Sequence, residues 1–390
     1  MVGMNTAERI YVASTSDGEP GARLTEGLAR RIEDDIASLG LAPGASLGSL
    51  RELSERYRVG RSVVREAVGL LERRGLGRLR PGPCGGFILA RPRPETIGAA
   101  LADYFVSGGI TPRQIQDARE ALALVSPGIA NDPVSPLLVH CIQEVESRLR
   151  SGWAPGSGDV VQLASSAETR ATSIARRLAE EIQRTRPAGT RLGSEWDLCE
   201  RFGVSRLTLR QAIRLLQDSG LVECRRGRGN GLVIRDRRAS GSIRLMLAYL
   251  IAEHIDPIAA GTTLLQLNAY VPALAVSRAS VEQRQQLATS LSRLEGCKSF
   301  DRCDLLGLVH LVSRLAESPV IDLFSRCLAA YEARFRASLA ERLPAATQAQ
   351  YFRLVRRLLD RMPPGDPSAI AWARQESAEC MIQMSLQRPI

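Results

Sequence analysis

Two short stretches set arginine beside glycine at close spacing: RLRPGPCGG, from Arg78 to Gly86, and CRRGRGNG, from Cys224 to Gly231. Guanidinium groups on a glycine-rich turn suit phosphate, because the planar fork of N–H donors matches phosphate oxygens and the guanine edge. A single stretch of this kind is weak, since a glycine-rich turn is most often only a turn. The other group with possible chemistry is Cys297, Cys303 and His310. Thiolates and imidazole bind metal, but this spacing matches no familiar ligand pattern, and it reads as small core residues. Only three histidines occur, no nucleophile elbow or placed carboxylate pair accompanies them, and general acid–base chemistry has few candidates. The residues argue against an enzyme and for no cofactor or metal.

Net charge is +10 over 390 residues, and its placement is informative. Residues 21–90 hold 12 Arg against 8 Asp and Glu, and residues 172–238 hold 15 Arg against 8. The remainder is near neutral, so the positive excess sits where phosphate would be met. The length calls for several domains. A hydrophobic content of 44% with only 4% aromatic residues suits small helical cores of Leu, Ala, Val and Ile. No apolar run reaches the roughly 18 residues of a membrane span, and the N-terminal stretch lacks a basic flank before an apolar core. A cytoplasmic protein with eight reduced, mostly buried cysteines is expected.

The same small unit occurs twice. VGRSVVREAVGLLERRGLGRLRPGPCGGFIL, from Val59 to Leu89, aligns without a gap on VSRLTLRQAIRLLQDSGLVECRRGRGNGLVI, from Val204 to Ile234. In the second copy Ile174, Leu178 and Ile182 stand four apart, the face of an amphipathic helix. Pro187 and Gly189 turn the chain, and Ser194 with Asp197 opens a short helix that Gly203 ends. Ser205 caps the next helix, whose stripe is Leu209, Ala212, Ile213 and Leu216, and Gly220 closes it. A two-stranded hairpin follows, with Arg225, Arg226 and Arg228 at its tip. The first copy repeats each step. Helix, helix, turn, helix and hairpin make a winged helix-turn-helix, whose third helix enters the DNA major groove.

Residues 44–88 and 189–233 resemble the DNA-binding domain of GntR-family transcription regulators. The family core stands here as Val59 to Ala67 (VGRSVVREA) and as Val204 to Ala212 (VSRLTLRQA). By resemblance to the FadR-like branch, operator contacts are expected from Arg51, Arg61, Ser62, Arg65 and the wing glycine Gly85 in the first copy. In the second they are expected from Ser205, Arg206, Thr208, Arg210, Arg226, Arg228 and Gly229. Two departures stand out: Trp196 replaces Arg51, a residue type that packs more often than it contacts bases, and Gly60 replaces the cap Ser205. The copies are expected to prefer different half-sites.

The fold expected is mainly α, with two winged helix-turn-helix domains and all-helical effector-type bundles. The divisions are a flexible N-terminus (1–20), the first winged helix (21–91), a truncated effector-like segment of three helices (92–150), a Gly/Ser/Pro linker (151–167), the second winged helix (168–238) and a helical ligand-binding or dimerisation domain of six or seven helices (240–388). The resemblance implies effector-site residues at Arg119, in Asp117-Ala118-Arg119, and at His310, paired with Asp304. Gln266 and Leu267 stand where the second copy's early motif would be. Relatives hold a metal through one Asp and three His. Here only His310 falls at such a position, with none near Tyr351 and Ser377, so no metal is expected and His310 reads as a core residue. The function expected is sequence-specific DNA-binding regulation, with operator DNA as partner, an optional small-molecule effector, and either a homodimer or an internal pair of headpieces. The alternative is a protein-interaction regulator in which one winged helix has lost DNA and serves dimerisation or partner binding, with Trp196 and Leu207 as its pointers.

Overall fold

The computed structural model describes residues 20–82, 85–123, 134–151, 170–185, 189–218, 221–224, 231–234, 239–295, 302–335, 345–362 and 368–386. Most of the expected N-terminal arm and linker, the tip residues Arg225, Arg226, Arg228 and Gly229, and Cys297 lie outside them.

In the first headpiece, α1 (Pro20–Ser38), α2 (Leu50–Tyr57) and α3 (Arg61–Arg73) precede strands β1 (Gly77–Arg80) and β2 (Gly86–Leu89). Leu28, Ala29, Ile32 and Ile36 recur at helical spacing on α1 and are buried against α3, which contributes Val64, Ala67, Val68 and Leu71. Helix α2 opens on a reciprocal cap: Ser49 Oγ accepts from the Glu52 amide, and the Glu52 carboxylate accepts from the Ser49 amide at 2.7 Å. Helix α3 starts at Gly60 with no side-chain cap. There follow α4 (Pro94–Ser107), α5 (Pro112–Ala123) and α6 (Val134–Arg150), the three helices expected after the first wing.

The second headpiece consists of α7 (Arg170–Thr185), β3 (Arg191–Gly193), α8 (Glu195–Phe202), α9 (Arg206–Asp218), β4 (Val222–Cys224) and β5 (Leu232–Ile234). Its core joins Ile174, Leu178 and Ile182 to Leu198, Leu209, Ile213 and Leu216. The cap expected at Ser194 is present, and the Ser194 amide that Asp197 accepts holds its carboxyl below the usual range. One strand was not legible. Residues 191–193 pair with β5, so the sheet has three strands in the order β3-β5-β4, where a hairpin alone was expected. Three residues are too few to show an alternating pattern. In the first headpiece the same segment makes a single bridge, Ser46 to Ile88.

The likeness of the two units extends to single backbone hydrogen bonds. Gly44 donates to Leu89 at 2.8 Å and Gly189 donates to Ile234 at 2.8 Å; Leu89 donates to Ala45 and Ile234 to Thr190, both at 2.9 Å. The correspondence also runs past the wing, as the next elements show: α10 (Ser240–Ala252) matches α4, and α11 (Pro257–Arg278) matches α5 in opening on proline. Thr111 and Asp256 cap these two helices, after turns in which Gly109 (φ 75°) and His254 (φ 49°) take the left-handed conformation. The chain closes with α12 (Val281–Glu295), α13 (Arg302–Ala316), α14 (Pro319–Phe335), α15 (Ala345–Arg361) and α16 (Ser368–Leu386).

The described residues fall into two compact units, one from Tyr11–Gly109 with Gln143–Ile255, the other from Ile110–Ile142 with Asp256–Ile390. The first therefore holds both headpieces with α4 and α10, and α10 packs on α1 and α4. Within it Arg74, 2% exposed, reaches Glu33 at 2.7 Å and Glu26 at 2.8 Å, and Arg244 of α10 lies 3.6 Å from Glu26. In the second unit α5 packs on α11 and α14. Burial pushes the Cys327 thiol well above its ordinary range and that of Cys380 up to about 11, so neither is a thiolate at neutral pH. Among the described residues no helix is long and apolar enough to cross a membrane.

Candidate nucleic-acid interface

Burial of one stripe on α3 and α9 turns the opposite stripe to solvent, and the first turns carry the residues of interest. Arg61, Ser62 and Arg65 are exposed on α3, as are Arg206, Leu207 and Arg210 on α9. Arginines four apart share a helix face. Arg61 and Arg65 have no hydrogen-bond or ion-pair partner among the described residues. Arg51 stands exposed on α2 and pairs with Glu55, one turn on, at 2.9 Å.

The second headpiece holds its arginines differently. Nε of Arg210 donates to both carboxylate oxygens of Glu195 at 3.1 Å. The guanidinium of Arg206 lies over the Trp196 ring, 5.5 Å from its centroid. Trp196 does not pack inward as expected. It is 63% exposed at the second position of α8, whose anchor in the core is Leu198 two residues on. Ser205 Oγ accepts from the Thr208 amide at 3.2 Å and meets Thr208 Oγ1 at 2.9 Å, so both hydroxyls are engaged at the helix start. The position of Ser62 is taken by Leu207, which is 70% exposed.

On the first wing, Gly85 donates to the Gly82 carbonyl at 2.9 Å, and a Cβ there would come 2.2 Å from the Arg80 carbonyl oxygen. Glycine is required by the turn itself. Arg78 and Arg80, which the resemblance does not place among the operator contacts, alternate with the less exposed Leu79 on β1 and face solvent. The signal was the period of two. Glu223 stands at the counterpart of Arg78, and Arg226 and Arg228 stand where the first wing has Pro81 and Pro83, so the two wings place their charge differently.

The residues expected at an effector site are placed as follows. Arg119 is exposed on α5, because Ile115, Ala118 and Leu122 define the opposite, buried face. The polar groups that α5 turns inward are Asp117 and Glu120. Asp117 pairs with Arg278 at 2.6 Å, and Glu120 accepts from Tyr270 at 2.5 Å and pairs with Arg374 at 2.6 Å. Burial opposes charge on Glu120, but the hydrogen bonds from Tyr270, Gln116 and Arg374 outweigh it and keep the carboxyl below its usual range. His310 lies on α13, with its side chain outside the described residues. No group of His, Cys, Asp and Glu that could hold a metal occurs among the described residues.

The profile of the GntR family of bacterial regulatory proteins matches residues 24–83 and 170–231. Both headpieces thus match the GntR family profile. Similar proteins include RmpR, an HTH-type transcriptional regulator of Mycobacterium gastri, 30% identical over 174 residues, which are 42% of this chain and 63% of RmpR. Mce2R of Mycobacterium tuberculosis, another HTH-type transcriptional regulator, is 28% identical over 202 residues, 50% of this chain and 81% of its own. A further HTH-type regulator of Mycobacterium tuberculosis is 50% identical over 50 residues, 13% of this chain and 20% of its own. The chain thus spans less than two thirds of RmpR. A solved Streptococcus agalactiae GntR covers 56% of this chain at 18% identity with a TM-score of 0.37, too loose a likeness to argue from. These relatives are named as regulators and not as enzymes, in keeping with the absence of a recognisable catalytic arrangement in the sequence.

Proposed function

We propose that the chain is a sequence-specific DNA-binding transcription regulator of GntR type, on the FadR-like branch, and that its two headpieces arose by duplication and read two unequal half-sites. The observation that carries this is the pair of exposed arginines at the start of a third helix, repeated on two scaffolds that share backbone hydrogen bonds between the segment before the second helix and the wing. Major-groove reading needs just this: a helix terminus that projects from its domain with donors suited to guanine. The excess of arginine over acidic residues in both units supplies the affinity for phosphate.

On this reading Arg51, Arg61, Ser62, Arg65 and Gly85 serve the first half-site, aided by Arg78 and Arg80. Ser205, Arg206, Thr208 and Arg210 serve the second, with Arg226, Arg228 and Gly229 at its wing. The tether between headpieces makes the second contact intramolecular, so one chain does the work of a dimer. The helices from α11 onward, completed by α5, form the module through which an effector acts, with no metal.

Selection of bound sequences from a random DNA pool, followed by sizing of the complex, tests the proposal. Two unequal half-sites on one chain are expected. Arg65→Ala and Arg210→Ala are each expected to weaken binding about 5- to 150-fold, the loss of a roughly 1–3 kcal/mol bidentate contact, and to erase protection over their own half of the footprint only. A variant silent on every site would make its headpiece an interaction module. Selection of no sequence at all would refute the regulator.

A further inference from the structure

The two headpieces differ in how their reading arginines are held. Arg210 gives its Nε edge to Glu195, with both carboxylate oxygens at 3.1 Å. That edge is therefore occupied, and the two terminal amino groups are the ones left to turn outward. Arg206 rests on Trp196. In the first headpiece the counterparts of Glu195 and Trp196 are Leu50 and Arg51. Leucine offers Arg65 no acceptor, and Arg51 is a second cation where the other unit has a ring. Arg61 and Arg65 then keep the rotamer freedom of a long side chain, to be lost only on binding.

We propose that Glu195 is a positioning residue that sets specificity, so that the second headpiece reads a guanine strictly and the first reads its half-site permissively. The proposal rests on the DNA-reading function above. A guanidinium fixed by a carboxylate can meet O6 and N7 of guanine with its terminal groups at little further cost in entropy. Against another base it cannot swing to a phosphate without giving up the Glu195 pair. Arg65 has no such tie, and a wrong base leaves it free to take a phosphate instead. Beside the reading arginines the second headpiece has Glu195 and Trp196 at the positions of Leu50 and Arg51, so the exposed surface next to Arg61 and Arg65 is the more cationic of the two, while both wings carry arginine.

The test compares the full chain with Glu195→Leu, Glu195→Gln and Leu50→Glu by measuring affinity for the selected site, for that site with each base replaced in turn, and for random duplex. Glu195→Leu is expected to lower discrimination at one position of the second half-site about tenfold, while affinity for random duplex holds or rises because an anion has left the interface. Glu195→Gln, which keeps one oxygen for Arg210 Nε, is expected to retain part of the discrimination. Leu50→Glu is expected to create a guanine preference in the first half-site. A uniform rise on every sequence after Glu195→Leu would mean that Glu195 only repels phosphate, and a uniform fall with a lowered unfolding temperature would mean that it only supports the fold; either overturns the proposal. A wild-type chain that selects no sequence would instead refute the function itself, so the two failures are separable.

Discussion

Arg74→Ser is expected to destabilise the first headpiece by about 3–5 kcal/mol, the usual consequence of removing one partner from a buried ion pair. Arg74 and Glu33 are 2% and 3% exposed, joined at 2.7 Å, and Glu26 closes the cluster from the half-buried side. Without the guanidinium, Glu33 keeps its burial and loses the ion pair at 2.7 Å. The second headpiece shows how the same fold manages without this cluster. Aligned on Ile36 and Ile182, Glu33 corresponds to Ala179, and Arg74 corresponds to Ser219. The double variant Glu33→Ala with Arg74→Ser should therefore recover most of the loss, since both buried charges are then gone. Amide hydrogen exchange along α1 and α3 measures this locally. Protection in the double variant no better than in the single would show that the charge imbalance is not what destabilises.

Gly86→Ala and Gly231→Ala are each expected to cost about 3 kcal/mol, near the top of the overpacking range. A Cβ on Gly86 would meet the Gly48 carbonyl oxygen at 2.6 Å, and one on Gly231 would meet that of Gly193 at 2.4 Å. No rotamer change relieves a clash with backbone, and the Gly48 carbonyl is already held by the Phe87 amide at 2.9 Å. The wing strand must move away from the start of α2, which carries Ser49 and Arg51. Chemical denaturation with exchange at Phe87 and Leu53 as reporters should show the loss, and unchanged stability would mean that the strand and the turn separate without cost. Gly27 is the contrast. Its Cβ position is open within 4 Å and it stands exposed in α1, so Gly27→Ala should stabilise by about 0.5–1 kcal/mol.

Much of this protein is written in short-range patterns. The four-residue spacing of Ile174, Leu178 and Ile182, the Ser194–Asp197 cap and the paired wing glycines each act over a few residues, so they are legible without a fold. The gapless match from Val59 to Leu89 and Val204 to Ile234 declared the repeat, and arginine counts located the positive excess in its two copies. A three-residue strand such as Arg191–Gly193 is invisible because its partner lies some forty residues away.

What tertiary structure alone decided is which charges meet. Nothing in the spacing of Glu195 and Arg210 announces that the carboxylate takes the Nε edge, because the two lie on different helices and meet only when α8 packs against α9. Trp196 read as a packing residue and proves to carry Arg206 at the surface. The family resemblance pointed to Arg119 on α5, which the fold leaves exposed, while Asp117 and Glu120 turn inward to Arg278 and Tyr270. Local sequence determined which helices form and where they stop, since caps and turns are settled by neighbours in the chain. Packing determined which arginines are held and which are free, since a side chain's partner is chosen by whatever the fold brings within about 3 Å of it.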